Sequence, residues 1–484
     1  MHRSRLLIVL KTLDLKARTR FADYVSSPIF NKNEKVRRLC AHLLQFAPDF
    51  EHPGLEKKKV YKYVFQKDGY AELPLNNVIS DLLQLLYDFL AHQRYQAQPH
   101  LKRELLLGEL LDRELYSDVG RFAEKGIPVQ HYEGYLHEYR LHEKADEAAL
   151  AKGKRGYNVH LQQGADAFDL YYYCNKLRIA CDMASRNTVI QARYECHFLP
   201  EVLAWLKQKP ELVQQSPILQ VYLQALLMLS EKDQANHYFD LKNLLSEHIA
   251  LFSRQELQSL YHYCLNYCVR QINSGQGAYY REVLDLYKLL LQENILLQNG
   301  HLSQWAYNNI ITAGIRLREY DWTGDFIQHY REYLQPEAQH NVYNYNLAAL
   351  FYEKGEYSSA LQQLQNVEFT DAFYHLSAKI IQMKSYFALN ETEPFMALLE
   401  ATRKFLSRNH QLSDYQKKSN ANFVKLSRKL YQLRQCKPLV SARHFQQRSA
   451  DLLRQVQLVQ PLSNKDWLEE AVRGEYGSGP EVQH

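Results

Sequence analysis

Residues 342–365 read VYNYNLAALFYEKGEYSSALQQLQ. Tyr343, Leu347, Leu350 and Phe351 recur at i, i+4, i+7 and i+8, and Tyr357, Ala360, Leu361 and Leu364 at i, i+3, i+4 and i+7. That is the spacing of two short amphipathic helices. Gly355 lies between them as a natural left-handed stop for the first, because a residue without a Cβ enters that conformation at little cost. The stretch therefore predicts an antiparallel helical hairpin.

The same pattern extends in both directions. Ala313-Gly314 and Leu317 lie 34 residues before Leu347-Ala348 and Phe351, with Trp322, Phe326 and Tyr330 in the helix that follows. Downstream, Phe373 to Leu389 and then Phe395 to Ser407, opened by Pro394, form a looser pair without the glycine. Leu347-Ala348, Phe351, Gly355, Tyr357 and Ala360 resemble a tetratricopeptide repeat, with its large-small pair, aromatic, turn glycine and small residue of the second helix. The 34-residue spacing is that family's period. The good copy covers about 30 residues, and the texture of the whole chain also resembles uncharacterised bacterial helical proteins. The resemblance implies an all-α fold, an α-solenoid of stacked antiparallel hairpins forming a degenerate superhelix behind a small helical N-terminal unit. It also implies that the first helix of each hairpin lines a groove. Tyr345, Asn346 and Tyr352, and one period earlier Ile311, Thr312 and Arg318 with Asn308, are then the candidate partner-binding residues. Asn side chains offer a peptide backbone both donor and acceptor, and Tyr offers contact area at low entropy cost.

A chain of 484 residues exceeds one compact core, so it splits or extends as a stack. Gly (18) and Pro (14) are scarce and form no linker, which disfavours a turn-rich β fold. The expected organisation is a basic helical unit over 1–96, a degenerate hairpin array over 97–300, clearer repeats over 301–410, and basic helices with a cap over 411–484. The expected helices include Leu15–Tyr24, a second capped by Asn31 or Asn33, Lys57–Phe65, a buried one after Pro74, and two long ones between Leu101 and Ala151 broken at Gly126-Ile127-Pro128. Tyr157–Met183, Arg254–Ile272, Tyr279–Gln292, Leu302–Leu317, Asp414–Leu433 and Ala442–Val456 follow, and Asn464 to Leu468 opens a capping helix before a frayed tail from Gly474 to His484.

The seven cysteines are odd in number and scattered, as suits reduced thiols. The N-terminal apolar run is too short for a secretory segment, and no stretch approaches a membrane span of roughly 20 residues; the expectation is a cytoplasmic protein. The net charge of +5 is unevenly spread. Residues 1–70 hold 15 Lys/Arg against 7 Asp/Glu, and residues 401–460 hold 13 against 2. Basic ends of this kind steer anionic partners, or meet acidic helices of the same chain.

No phosphate loop, nucleophile elbow or zinc spacing occurs. His137 and His142 are five apart and point to different helix faces, whereas a zincin helix needs i, i+4. Cys264 and Cys268 have no second pair, so they read as buried thiols. A helix-turn-helix reading of the N-terminal unit offers few base-reading residues on its last helix beyond Asn76, Asn77 and Gln84. No cofactor, no metal and no catalytic residue is expected. The functional expectation is a non-enzymatic scaffold or adaptor binding a protein or peptide in a helical groove. The alternatives are a nucleic-acid-associated or regulatory protein using the basic ends, or an enzyme without a recognisable motif.

Overall fold

The computed structural model describes residues 4–125, 129, 131–190, 193–231, 234–365, 367 and 372–474. Every regular element among them is a helix, and the only extended pairing is an isolated bridge between Gln298 and His301. The all-α expectation is met. The chain divides into two compact units, residues 1–223 and 224–484.

The first unit opens on helices Arg5–Lys11, Leu15–Ser26, Glu34–Leu44, Lys57–Phe65 and Glu72–Gln96, which share one core built from Leu6, Leu7, Phe21, Leu39, Leu82 and Phe89, among others. The apolar run at the start, assigned to no element from sequence, is a helix that buries Leu6, Leu7 and Leu10. Asn33 caps the helix Glu34–Leu44 through Lys35 N–H. Asn31 instead donates to the Val25 carbonyl at 2.9 Å and braces the loop. Between Leu101 and Ala151 the expectation of two helices needs correction, because the first is divided into Pro99–Asp112 and Tyr116–Ala123. Glu114 turns left-handed there (φ 59°). The expected break at Gly126-Ile127-Pro128 lies outside the described residues, as does the tail beyond Gly474. Glu133–Ala151 and Val159–Ile190 then pack along one another.

In the second unit one turn geometry recurs. After Pro336–Glu353, Gly355 stands at φ +81°. Its N–H reaches the Tyr352 carbonyl (3.0 Å), and Glu356 N–H reaches the Phe351 carbonyl (2.8 Å). This pair of bonds satisfies carbonyls that the helix end leaves open. Arg318 (φ 59°) repeats it after Gln304–Arg316, with Glu319 N–H on the Gly314 carbonyl at 2.9 Å. Asn390 (φ 59°) repeats it after Ala372–Leu389, with Glu391 N–H on the Tyr386 carbonyl at 3.0 Å. In all three the next residue, Glu319, Glu356 or Glu391, is the N-cap of the returning helix: Tyr320–His329, Tyr357–Leu364 or Thr392–Arg408. The hairpins are thus closed by the same few backbone atoms even where the glycine is absent.

Close approach inside a hairpin has its own requirement. A Cβ placed on Gly314 would lie 2.2 Å from Thr323 Oγ1, and that hydroxyl is anchored by donating to the Glu319 carbonyl at 2.7 Å. Farther along, Ala372–Leu389, Thr392–Arg408, Asp414–Cys436, Ala442–Leu458 and the capping helix Lys465–Arg473 share a core. Its aromatic centre is Phe387, Phe395, Phe423, Tyr431 and Trp467, with the Trp467 ring 5.4 Å from Phe387 and 5.8 Å from Phe423.

Two substitutions separate these causes. Gly355→Val meets no atom within 4 Å, so its expected loss of about 1–2 kcal/mol is backbone strain alone, and Gly355→Asn is expected to lose much less. Gly314→Ala, in ordinary helical backbone, is expected to lose about 1–3 kcal/mol through overpacking on Thr323, part of it recovered by adding Thr323→Ala. Urea melts of the four variants check both.

Candidate functional site

The residues expected to line a groove fall into three groups. Ile311, Asn346 and Tyr352 are buried, at 1%, 2% and 8% exposure, and pack inside the fold. Arg318 is exposed at the left-handed turn and Thr312 is exposed on its helix. Asn308, half-buried, joins Asn346 in a polar chain. Asn346 Nδ2 donates to the Val342 carbonyl (2.8 Å) and to Asn308 Oδ1 (2.6 Å). Asn308 Nδ2 in turn donates to the Tyr374 hydroxyl. Buried amides are costly unless paired, and this pairing ties three helices, Gln304–Arg316, Pro336–Glu353 and Ala372–Leu389, in one register.

That chain supports the wall of a cavity. The Tyr374 ring meets Tyr345 edge-on, with centroids 5.4 Å apart, and Tyr345 is hydrogen-bonded to Ser377. Burial raises the Tyr345 phenol's pKa, and the Ser377 bond acts the other way. Tyr345 and Ser377 face a space of about 320 Å³ that Lys384, Gln416, Asn420, Ser463 and Asn464 complete, over aliphatic side chains such as Ile380 and Leu412. Volumes near this value are at the small end for ligand sites. The far rim is held by side-chain bonds: Ser463 Oγ donates to Asn420 Oδ1 (2.9 Å), Asn420 Nδ2 donates to the Gln416 carbonyl (2.8 Å), and Asn422 Nδ2 donates to the Pro461 carbonyl (2.9 Å). Gln416 closes the capping box of Asp414–Cys436 by accepting from Ser413 N–H. Its Nε2 remains able to donate.

Lys384 is the charged group of the cavity. Its ammonium lies 5.8 Å from the Tyr352 ring centroid and 5.6 Å from that of Trp467. No carboxylate among the described residues comes within 4.0 Å of it. Burial brings its pKa down to about 8; Arg316 pulls the same way, while Glu353, Glu470 and Asp466 pull back without reaching it. The aromatic faces stabilise the cation in part. The amides and hydroxyls around it can bond an extended backbone through both N–H and C=O, and they present no nucleophile paired with a base.

His137 bonds Glu104 (2.9 Å) on Pro99–Asp112, whereas His142 meets His160 (3.2 Å) on Val159–Ile190, as the five-residue spacing predicts. Cys264 and Cys268 are buried free thiols; burial pushes Cys268 up to about 12 and Cys264 in the same direction. Among the described residues no group of three or more His, Cys, Asp or Glu is placed to hold a metal ion, and no helix is long and apolar enough to cross a membrane.

Sequence reasoning found Tyr345 and missed the rest of the cavity. Lys384 sits in an ordinary amphipathic stretch, and its partners from other helices lie about 30–80 residues away in the chain. No family model matches the sequence, and neither does any curated protein or solved structure.

The electrostatics of Lys384 give a signed expectation. Its folded value of about 8 lies below the ordinary 10.5, so the unfolded chain binds the proton more tightly. The resulting cost is fully present below about pH 8, shrinks between pH 8 and 10.5, and is absent above. Lys384→Met keeps the stem and removes the charge. It is expected to melt at a higher temperature than the native chain at pH 7, with the gap narrowing toward pH 10.5. Paired thermal melts across that range check it, and an unchanged gap contradicts it.

Proposed function

We propose that this protein is a non-enzymatic scaffold that holds an extended, acidic segment of a partner protein in the cavity between Tyr345, Lys384 and Asn420. The observation that carries this reading is the Lys384 ammonium, set among amides and hydroxyls with no carboxylate among the described residues within 4.0 Å, Glu353, Glu470 and Asp466 acting on it only from farther off. A half-buried cation without a counter-ion is unfavourable in the free protein, and a Glu or Asp side chain from a ligand supplies the missing partner through a charge-assisted hydrogen bond. The amide groups of Asn420, Asn464 and Gln416 suit a peptide backbone, and the aliphatic side chains of Ile380 and Leu412 suit a neighbouring apolar side chain. The all-helical frame and the tetratricopeptide-like hairpin beside the cavity support a binding role. A groove running through a stacked superhelix is part of the same reading.

The test is a selection of displayed random heptapeptides on the immobilised protein. Enriched peptides are expected to pair Asp or Glu with Leu, Ile or Val, and to lose tenfold or more in affinity with Lys384→Gln and with Asn420→Ala, the circular dichroism of both variants being unchanged. Peptides that bind the two variants as well as the native chain contradict the proposal.

A further inference from the structure

A second concavity lies on another face of the helix Ala372–Leu389, where it packs against Thr392–Arg408. It is an open cleft of about 440 Å³ whose lining includes His375, Lys379, Lys404, Phe405 and Arg408. We infer that this cleft binds single-stranded nucleic acid, with Lys379, Lys404 and Arg408 taking phosphates and the Phe405–His375 pair stacking a base.

Charge is the first support. Three permanent or near-permanent cations line one cleft, and no carboxylate among the described residues lies within 4.0 Å of any of them. The nearby Glu400 does not serve them, being taken by Arg403 (3.1 Å) and by Arg428. Cations at a helix C-terminus are favourable in themselves, and that accounts for Lys404 and Arg408 in the last turns of Thr392–Arg408. It does not account for Lys379. That residue stands mid-helix on the other wall, half-buried, and burial lowers its pKa. His375, one turn before it, is shifted down by burial and then by Lys379 itself. Like charges brought together and partly desolvated are stabilised by a bound polyanion.

Ring geometry is the second support. Phe405 and His375 lie with centroids 4.6 Å apart at 33°, both half-buried in the cleft wall beside the cations. Aromatic faces next to a cationic track are what single strands use, since every base has a π-face to stack. A phosphorylated peptide would use the cations and leave the rings idle. The third support is the setting: residues 401–460 carry 13 Lys/Arg against 2 Asp/Glu, an excess suited to a polyanion rather than to one phosphate. This site is separate from the Lys384 cavity and does not depend on the peptide reading.

The test is fluorescence anisotropy of 5′-labelled dT15 and U15 with the full chain at 50 and 200 mM KCl. Binding is expected, and it is expected to weaken steeply with salt. Lys379→Gln with Arg408→Gln is expected to reduce affinity tenfold or more and to flatten the salt slope. Lys58→Gln with Lys67→Gln, the same charge loss on the N-terminal unit, is expected to change it less than twofold. Phe405→Leu preserves aliphatic packing and is expected to cost roughly tenfold while leaving the salt slope intact. Unlabelled dT15 should compete far better than AMP, inorganic phosphate or a phosphoserine peptide at equal phosphate. Absence of binding overturns the inference, as does equal loss in the two double variants. An unchanged affinity for Phe405→Leu, or equal competition by the phosphoserine peptide, likewise overturns it.

Discussion

The hairpins of the second unit depend on a backbone constraint more than on any side chain. In three of them the first helix ends in one left-handed residue, whose successor returns a hydrogen bond five residues back and caps the next helix. Arg318, Gly355 and Asn390 occupy that position, so the chain reverses in the same way whether the residue is cheap or strained there. For Gly the conformation is free; for Arg it costs on the order of 1 kcal/mol, recovered by satisfying carbonyls at a helix end. Because the reversal is short, the partner helices meet at fixed heights. A residue as small as Gly314 is then needed where they touch, and the Asn346 and Asn308 amides on adjacent hairpins come within hydrogen-bond reach of each other.

From that register follows the cavity. The Asn346–Asn308–Tyr374 chain is buried and polar, and such networks hold a particular packing because a slipped one leaves amides unsatisfied. It fixes Tyr345 against Ser377, and the opposite rim is fixed by the Ser463–Asn420 and Asn422–Pro461 bonds. Lys384 lies between two well-held walls. Preorganisation of this kind lowers the ordering cost that a ligand meets on binding. The helix Ala372–Leu389 therefore borders two unlike concavities, giving Lys384 to one lined with amides and Lys379 and His375 to one whose other cations and ring come from Thr392–Arg408.

What was legible in the chain was its local chemistry. Lys57–Phe65 and Tyr279–Gln292 lie where the sequence pattern puts them, Gly355 is left-handed, and the cysteine pair is buried. Local signals failed where tertiary structure overrode them. Nothing marks Glu114, Arg318 or Asn390 as left-handed in the way a glycine would, so the sequence predicts one continuous helix where Pro99–Asp112 and Tyr116–Ala123 are two. Asn346 and Tyr352 read as polar and amphipathic, and hence as surface, whereas neighbouring helices cover them. Desolvation of Lys384 and Lys379 is a property of helices far apart in sequence; the residues themselves look like any lysine on an amphipathic helix.

The proposed site depends on Lys384 being a desolvated cation with no carboxylate among the described residues within 4.0 Å, and its proton affinity can be read directly. Reductive ¹³C-dimethylation of the lysines, with the Lys384 resonance assigned by its loss in Lys384→Met, gives a titration curve for that one group in the folded protein. A midpoint near pH 8, well below the main body of lysine resonances, is the predicted result. A midpoint at or above the ordinary lysine value of 10.5 would show the ammonium to be solvated or paired, and would contradict the proposed site.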